Sequence, residues 1–546
     1  MADIPTGRSF DYIIVGGGSA GCVLADRLSR DGRLQVLLLE AGGEDKSPLI
    51  AMPKGIGKLL ADPEHVWRYP VEERFSNHSQ PAVWLRGRTL GGSSSVNGMV
   101  YTRGFPADYD AWGEAGLAGW SWAAVKKAYV AIEDHVLGPC DWRGSGGPLH
   151  ISQTRGRAPA FDAFLQAGAA VGLPIKQDLN DPTTEEGVGY CSVTIHNGRR
   201  WSAADAFLKP ARKRSNLHVV TGFRADRVLF DGLRAVGVAG RQNGAPQTYR
   251  AGREVILSAG TLGSAKLLQL SGIGPACRLE AAGVPVLLDR PAVGAHLREH
   301  RVMFMQFRLS QQALSHNREY AGLRLIGNVL KYAALRQGVM AMAAYQVGAF
   351  LRSRPDLAAA DVQLLMGAFS MDFAGACDGQ VTLERAPGLQ CLVLPVRPTS
   401  EGELYITSAD PDSAPHIDPR YLTSAEDRAS AAAGVRKVRE IMRQAPLQGM
   451  VEGEVTPGAD CDSDEAILAA YGPYGSSGYH AVGVCRMGAD AESVTDADLK
   501  VRGVAGLRVV DCSVMPSIPS GNTNGPVMAL AWLAADRILL EQNPLK

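Results

Sequence analysis

One histidine and two asparagines lie in short glycine-rich segments where side chains could do chemistry. His480 lies in YHAVGVCRMG, and Asn522 and Asn524 lie in GNTNGP. Imidazole is the usual side chain for removing a proton near neutral pH, because its own pKa lies close to neutrality. An amide can donate a hydrogen bond to an oxygen that becomes negatively charged. Any one of the eleven histidines would by default be exposed or part of the core. A catalytic role therefore depends on the elements that position these residues.

Residues 10–40 have the pattern of a dinucleotide-binding βαβ unit. An apolar run leads into GGGSAG, a helical stretch follows, and a second apolar strand, Val36–Leu39, comes next. Gly16 permits a tight turn, Gly18 lets backbone N–H groups approach a pyrophosphate, and Gly21 allows the helix to pack closely on the strand. The phosphates would lie at the positive end of the helix dipole.

Glu40 ends the second predicted strand, roughly 20 residues after the glycines. A carboxylate at this place can accept hydrogen bonds from both hydroxyls of an adenosine ribose. It also disfavours a 2′-phosphate, so NADP is not expected. The sequence contains no second fingerprint of this kind. The chain therefore provides for one dinucleotide.

Further glycine-rich and polar segments follow in order along the chain. Residues 87–110, GRTLGGSSSVNGMVYTRGFPADYD, form a backbone-rich turn that can bring amide groups against a flat ligand. The other segments are GRRWSA (198–203), GTLGSAKLLQLSGIG (260–274) and VGAHLREH (293–300). Together with the first βαβ unit and the C-terminal segments, they resemble the signatures of the glucose–methanol–choline (GMC) flavin oxidoreductases, most of all the bacterial choline-dehydrogenase-like branch. The resemblance covers essentially the whole chain.

The expected fold class is α/β: a Rossmann-like FAD-binding domain of the GMC type with an inserted α+β substrate-binding domain that contains an antiparallel sheet. Strand and helix patterns after residue 217 agree with a nucleotide domain assembled from separated stretches. We predict that the FAD-binding domain comprises residues 1–155, 210–300 and 475–546. The substrate-binding domain is predicted to comprise residues 156–209 and 301–474.

The resemblance implies that the dinucleotide is FAD. Val96 stands where some choline oxidases attach the flavin through a histidine, so we expect a non-covalent cofactor. By resemblance Asn97 lies near flavin N5 and C4a, and the backbone of Ala225 holds the adenine. The residues expected to bind FAD are Gly16, Gly18, Ser19, Ala20, Gly21, Glu40, Gly91, Ser95, Asn97, Gly98, Met99, Val100, Ala225, Asp511, Asn522, Pro526 and Val527.

The expected reaction is the FAD-dependent oxidation of a primary alcohol to the aldehyde. By resemblance His480 is the general base that removes the hydroxyl proton while flavin N5 takes the hydride, and Asn524 is its catalytic partner. His300 and His196 are expected to be structural. A lyase or photodecarboxylase on the same flavin scaffold remains an alternative. A protein that only binds flavin is disfavoured, because the His480/Asn524 pair is intact.

Two residues depart from the family pattern. Ala265 stands where Pro or Ser is usual, which we expect to affect only the start of a helix. Trp532 stands where related sequences commonly carry Glu, and the sequence alone does not explain it. No cluster of acidic and aromatic residues indicates a cage for a quaternary ammonium group, so choline is not the favoured substrate. Met, Phe and Tyr at 339–350 and 364–373 could line an apolar pocket.

Composition limits the partners. Lys and Arg together number 56, as do Asp and Glu, so no net charge favours nucleic acid. Nine cysteines without C-x-x-C spacing or a histidine cluster indicate neither a metal site nor a disulfide framework. The first residues lead directly into the first strand without the pattern of a signal peptide, so a cytoplasmic location is expected.

Residues 323–337, LRLIGNVLKYAALRQ, are basic and amphipathic. Such a stretch could touch a lipid surface, but a helix with one buried face is the favoured interpretation. The sequence leaves open whether dioxygen, a quinone or another carrier is the electron acceptor. It also makes no prediction of the oligomeric state.

Overall fold

The computed structural model describes residues 9–75, 79–153, 158–373 and 382–542. Its α-helices are Ser19–Leu28 (α1), Pro48–Ala51 (α2), Ile56–Leu59 (α3), Pro106–Glu114 (α4), Trp122–Ile132 (α5), Pro159–Ala170 (α6), Lys209–Ala211 (α7), Gly260–Leu270 (α8), Ala276–Ala281 (α9), Gly322–Leu335 (α10), Ala425–Met442 (α11), Asp464–Ala470 (α12) and Asn524–Gln542 (α13).

The strands of two large sheets are Ser9–Val15 (β1), Val36–Leu39 (β2), Ile175–Lys176 (β3), Gly187–Tyr190 (β4), Leu217–Val220 (β5), Phe223–Asp231 (β6), Arg234–Gln242 (β7), Ala245–Leu257 (β8), Arg301–Leu309 (β9), Val347–Leu351 (β10), Val362–Gly367 (β11), Gly388–Pro395 (β12), Val451–Thr456 (β13), Gly475–Ser477 (β14) and Leu507–Val509 (β15). Smaller sheets contain Val66–Arg74, Ser79–Gly87, Glu133–His135, Leu149–Gln153, Ser192–Val193, Ile195–His196, Arg199–Arg200, Ile273–Gly274, Leu288–Asp289, Met371–Asp372, Thr382–Leu383, Glu403–Tyr405 and His416–Asp418.

The seven-stranded sheet has the order β5-β2-β1-β8-β7-β6, and β15 also pairs with β8. The strands β5, β2, β1, β8 and β15 pair in parallel, whereas β7 and β6 continue the sheet in antiparallel fashion. Parallel strands need cover on both faces, and every residue of β2 is buried accordingly. The strands come from three separated stretches of sequence, which supports the Rossmann-like interpretation. The domain boundaries themselves remain a prediction.

The turn from β1 into α1 is possible only with glycine at two places. Gly16 has φ +108°, and a Cβ on it would lie 2.3 Å from the carbonyl oxygen of Ser258. A Cβ on Gly21 would lie 1.9 Å from the carbonyl oxygen of Gly16. Both contacts are far inside van der Waals distance, so the backbone itself excludes any side chain. These two glycines therefore set how closely the helix approaches the sheet.

The eight-stranded sheet has the order β13-β9-β12-β11-β10-β4-β3, and β14 also pairs with β9. Its pairs are antiparallel except for β3 with β4. Side chains alternate between its two faces. One face joins the main core, and the other, which we call the inner face, packs against Met99, Val100 and Phe105. The apolar residues of the inner face are Val302, Phe304, Phe350, Leu365, Leu392 and Leu394.

Helix α10 buries one side, at Tyr332, but leaves a second set of apolar residues exposed. Leu323, Ile326 and Leu330 are among the exposed large apolar residues, while Tyr332 on the opposite side is buried. The hydroxyl of Tyr332 donates a hydrogen bond to the carbonyl oxygen of Ala51 at 3.1 Å. The helix thus holds to the protein by its other side. Within the described residues, no helix combines the length and the apolar character that crossing a membrane requires.

Trp532 has a structural explanation. The guanidinium of Arg27 lies 4.1 Å from the centre of its ring, where α1 packs on α13. Arg27 also forms an ion pair with Asp536, one turn further along α13. The tryptophan therefore contributes a cation–π contact to the helix pair.

Candidate active site

A buried carboxylate joins the two segments that carry the central histidines. Oε1 of Glu299 accepts hydrogen bonds from the backbone N–H groups of His300 (2.8 Å) and His480 (2.6 Å). Its Oε2 accepts one from the hydroxyl of Ser477 (3.0 Å) and lies 3.5 Å from the guanidinium of Arg86. Glu299 thus aligns residues that are 180 positions apart in the sequence.

The imidazole rings of His300 and His480 are hydrogen-bonded to each other, with 3.0 Å between their Nδ1 atoms. Nε2 of His300 lies 3.1 Å from the carbonyl oxygen of Val396. A carbonyl can only accept, so His300 carries its hydrogen on Nε2 and its Nδ1 is an acceptor. His480 must then donate from Nδ1. Its Nε2 is left without a hydrogen, as a general base requires.

Both rings are neutral near pH 7. Burial lowers the pKa of His300 to about 4. Burial, together with the neighbouring His300 and Arg86, lowers the pKa of His480 well below its usual range. His480 is 8% exposed, so its charged form loses most of its hydration. The unprotonated base is therefore the resting form at neutral pH.

Asn522, and not Asn524, is the amide beside His480. Nδ2 of Asn522 lies 3.1 Å from Nε2 of His480. Asn524 begins α13 and faces the other way, so that its Oδ1 accepts a hydrogen bond from the hydroxyl of Ser19 at 2.8 Å. The prediction that placed Asn524 beside the base is thus corrected by the direction in which α13 starts. The sequence analysis assigns Asn522 only to FAD binding, whereas the structure also places its amide beside His480.

Ser19 and Asn524 also show that two helices, α1 and α13, begin side by side. The N–H groups of a first helical turn are free to bind an anion. Of the sequence-predicted residues, Ser19, Ala20 and Gly21 lie in the first turn of α1. Pro526 and Val527 lie in the first turn of α13, but Pro526 has no N–H and the N–H of Val527 donates to the carbonyl oxygen of Thr523 at 3.0 Å. The arrangement suits a pyrophosphate.

The glycine turn after β1 contacts the second glycine-rich segment. The N–H of Gly91 donates to the carbonyl oxygen of Gly17 at 2.8 Å. A Cβ on Gly92 would lie 2.7 Å from the Cα of Gly18. Nearby, the hydroxyl of Ser258 is buried and has no hydrogen-bond partner in the described part of the chain. The two glycine segments, 16–18 and 91–92, and the unpartnered hydroxyl of Ser258 form a site that fits a dinucleotide. We call this site the cradle.

Glu40 lies at the end of β2, as predicted, and is buried. Its Oε2 accepts a hydrogen bond from the N–H of Gly17 (2.8 Å), and its Oε1 accepts one from Gly42 (2.7 Å). Each carboxylate oxygen can accept a second hydrogen bond, so the proposed contacts with ribose hydroxyls remain possible. Burial raises the pKa of Glu40. Ala225 follows closely after Phe223, whose N–H donates to the carbonyl oxygen of Glu40 at 2.9 Å.

Asn97 is held by a buried arginine that sequence reasoning did not assign. Nη1 of Arg200 donates to Oδ1 of Asn97 at 2.7 Å, and the N–H of Met99 donates to the same oxygen at 3.1 Å. Arg200 also donates to the carbonyl oxygens of Ile50 and Ser94. Burial lowers the pKa of Arg200 to about 9. The acceptor side of the Asn97 amide is thus occupied, and its NH2 group is left for a ligand.

The remaining predicted cofactor residues form the surrounding loops. The hydroxyl of Ser95 donates to the carbonyl oxygen of Leu90 (2.8 Å). Val100 forms a β-bridge with Val193, and a Cβ on Gly98 would meet no atom within 4 Å. All four acceptor positions of the Asp511 carboxylate are taken by protein groups, from Gly260, Ser264 and Ser513. That carboxylate therefore positions the loop, and the predicted cofactor contact of Asp511 is left to its backbone.

The sequence contains only a weak signal for the roles of Glu299, His300 and Arg200. His300 and Glu299 end the VGAHLREH segment, and Arg200 lies in GRRWSA, both of which carry the resemblance. The segments were recognised, but contacts across more than 100 positions cannot be read from spacing. His300 was expected to be structural, and the structure instead places it against the base.

Comparisons with known proteins find similarity over nearly the whole chain. Residues 10–302 and 398–531 match family models described as GMC oxidoreductase. The oxygen-dependent choline dehydrogenase of Brucella anthropi is 38% identical over 97% of this chain and 95% of its own length. Among solved structures, pyridoxine 4-oxidase from Mesorbium loti has a TM-score of 0.86 and 31% identity over 97% of this chain and 99% of its own. A formate oxidase has a TM-score of 0.91 and 26% identity, with both chains fully covered.

Gly92 and Gly453 provide a matched pair of substitutions, one inside the cradle and one outside it. Gly92→Ala places a Cβ 2.7 Å from the Cα of Gly18 at φ +52°, so we expect the purified variant to lose most of its FAD. Gly453→Ala, on β13, meets no atom within 4 Å and should retain the cofactor. Visible flavin absorbance per mole of protein measures both. A fully yellow Gly92→Ala variant would contradict the cradle.

Proposed function

The chain belongs to the GMC oxidoreductase family, and from that premise we propose that it oxidises a primary alcohol to the aldehyde with His480 as general base. FAD-dependent oxidation of an alcohol is what its relatives support. The observation that carries the proposal for His480 is its bare Nε2, whose state follows from the bonds to His300 and Val396. This nitrogen is the proton acceptor that alcohol oxidation needs.

The residues divide the work of the reaction as follows. FAD, when bound, accepts the hydride from the carbinol carbon. Nε2 of His480 takes the hydroxyl proton, while its Nδ1–H continues to donate to His300. In this structure Nδ2 of Asn522 lies 3.1 Å from Nε2 of His480. An alcohol hydroxyl that gives its proton to Nε2 would replace this hydrogen bond, and its oxygen could then accept from Nδ2 instead. The amide can then donate to the oxygen as negative charge develops on it.

Non-covalent attachment of FAD is part of this proposal. Val96, at the position that supplies a histidine in some choline oxidases, has no nucleophilic atom. Its side chain is buried in a cluster with Ile50, Leu59 and Val66. We therefore propose that denaturation releases the flavin.

We propose dioxygen as the electron acceptor, with a quinone as the alternative. The relatives that carry the name oxygen-dependent choline dehydrogenase support this choice. A cytoplasmic location remains our proposal, supported by free cysteines throughout the described residues.

The non-oxidative alternative, a lyase or photodecarboxylase, is not favoured. The relatives and solved neighbours named above are a dehydrogenase and oxidases. The site also contains a base in the protonation state that hydride transfer from an alcohol requires. Oxidation therefore needs no additional residue.

Anaerobic mixing of the yellow holoenzyme with primary alcohols tests the proposal. We expect the flavin to bleach, because the hydride leaves the alcohol as His480 takes the proton. His480→Ala should slow bleaching by roughly 10²–10⁴-fold while FAD stays bound. Stopped-flow absorbance measures the rate. Persistent colour together with product formation would instead indicate lyase chemistry, and an unchanged rate in His480→Ala would remove the base assignment.

Asn522 and Asn524 can be separated by matched substitutions. Asn522→Leu removes the donor beside Nε2 of His480, so we expect flavin reduction to slow by roughly 10²-fold or more with FAD retained. Asn524→Leu removes the acceptor of the Ser19 hydroxyl between two helix starts. It should weaken FAD retention and affect the reduction rate of loaded enzyme less. The reverse pattern would restore Asn524 as the partner of the base.

A further inference from the structure

The donor–acceptor direction of the hydrogen bond between His300 and His480 also determines the directions of the next hydrogen bonds, through Asn522 to Gln363. Nδ2 of Asn522 donates to the bare Nε2 of His480, so the Oδ1 of Asn522 is turned to the other side. Nε2 of Gln363 lies 3.4 Å from that Oδ1 and must be its donor. The orientation of the Gln363 amide is thereby determined. Its carbonyl oxygen, Oε1, points away from Asn522.

Gln363 is a buried polar residue with apolar neighbours on either side. It lies in the middle of the eight-stranded sheet on β11, where Phe350 and Leu394 are its neighbours in register. Its side chain is on the inner face, and the residue is only 2% exposed. Oε1 is buried and has no hydrogen-bond partner in the part of the chain that the structure describes. A buried amide oxygen without a donor is costly, so a donor is expected from a ligand.

The position of Gln363 indicates which group of a ligand would donate a hydrogen bond to Oε1. Asn522 contacts His480 and Gln363 contacts Asn522, so Gln363 is connected to the proposed base through one side chain. We propose that Gln363 is a specificity-determining residue, and that the alcohol carries a second hydroxyl, beside the carbinol, that donates to Oε1. This inference rests on the proposed function.

The proposal separates this chain from its choline-oxidising relatives by chemistry. The only hydrogen-bond donor of choline is the hydroxyl that reacts, and a quaternary ammonium group has none. Gln363 is neutral, and the inner-face residues of β9, β10, β11 and β12 include no carboxylate. A neutral acceptor among apolar side chains favours a neutral diol over a cation.

Paired alcohols test this inference. Wild-type holoenzyme is mixed anaerobically with 1-hexanol and with 1,2-hexanediol, and with shorter pairs of the same kind, and flavin reduction is followed. We expect kcat/KM to favour each diol by about tenfold, the effect of one buried hydrogen bond. In Gln363→Leu and Gln363→Met the diol preference should fall to about one. Thermal melting and FAD content confirm that the variants fold.

Gln390→Leu is the matched control. Gln390 lies on the same face of the neighbouring strand β12, but its amide bonds to Tyr345 and Gln306. This variant should keep the diol preference. Equal use of mono-alcohol and diol by wild type, or a preference that survives in both Gln363 variants, would overturn the role of Gln363 alone. Failure of every primary alcohol to reduce the wild-type flavin would overturn the proposed function as well.

The outer face of α10 supports a second, independent inference. Leu323, Ile326 and Leu330 are 87%, 57% and 64% exposed. Spacings of three and four residues place them on one side of the helix. The helix contains Arg324 and Lys331 but no acidic residue. An apolar stripe that faces outward beside cationic side chains is typical of helices that lie in a membrane interface.

We propose that α10 docks on the surface of an anionic bilayer. Lys331 complements anionic headgroups, while Arg324 is already paired with Glu319 at 2.7 Å. A second copy docked antiparallel on the same face would bring the lysines together. Arg336, which follows the helix, adds to the same charge. The apolar stripe would enter the interface without crossing the membrane.

Cosedimentation with vesicles of phosphatidylglycerol and phosphatidylcholine tests the docking. We expect the holoenzyme to sediment with these vesicles and to be released by high salt. The double variant Leu323→Ser, Leu330→Ser should bind about tenfold more weakly. Leu540→Ser, at another exposed leucine (63%), is the matched control and should bind like wild type. Equal binding by the double variant would overturn the proposal. So would a dimer that the double variant abolishes, because the face would then belong to a second copy.

Discussion

The site depends on the hydrogen bond between the two Nδ1 atoms of His300 and His480. Its direction is set by the carbonyl oxygen of Val396, which has no hydrogen to give. This backbone oxygen therefore determines, through the ring of His300, which nitrogen of His480 carries the hydrogen. No charged partner of the imidazole is needed for this, and the same ordering continues through Asn522 to Gln363.

The bond exists because separate parts of the fold meet at one place. His300 directly precedes β9 of the eight-stranded sheet, and Asn522 lies two residues before α13, which packs on α1 of the nucleotide-binding unit. Glu299 accepts a hydrogen bond from the backbone of His480 at this junction. The cradle and His480 are therefore connected through packed helices and hydrogen bonds, and Gln363 on the inner face of the second sheet contacts Asn522.

The nucleotide-binding unit could be predicted from sequence because its signals are local. Val36–Leu39 is an apolar run, and Gly21 is required by its contact with Gly16, five residues away. Gly16 is recognised from the same short motif, although the atom that excludes a side chain there belongs to the distant Ser258. Asn522 and Asn524 could not be told apart, since both amides suit the chemistry and only the start of α13 decides which one faces His480. For α10 the periodicity predicted the helix correctly, but it cannot say which face points to solvent.

The burial of His480 has a consequence for its protonation. Burial, together with the neighbouring His300 and Arg86, lowers the pKa of this imidazole well below its usual range and so favours the neutral ring. We propose that this neutral ring takes the hydroxyl proton when the alcohol is oxidised. Asn522 assists at that moment, because its amide donates to the oxygen whose charge is developing. Burial thus makes the reaction depend on geometry, which is why the site is held by so many hydrogen bonds to the backbone.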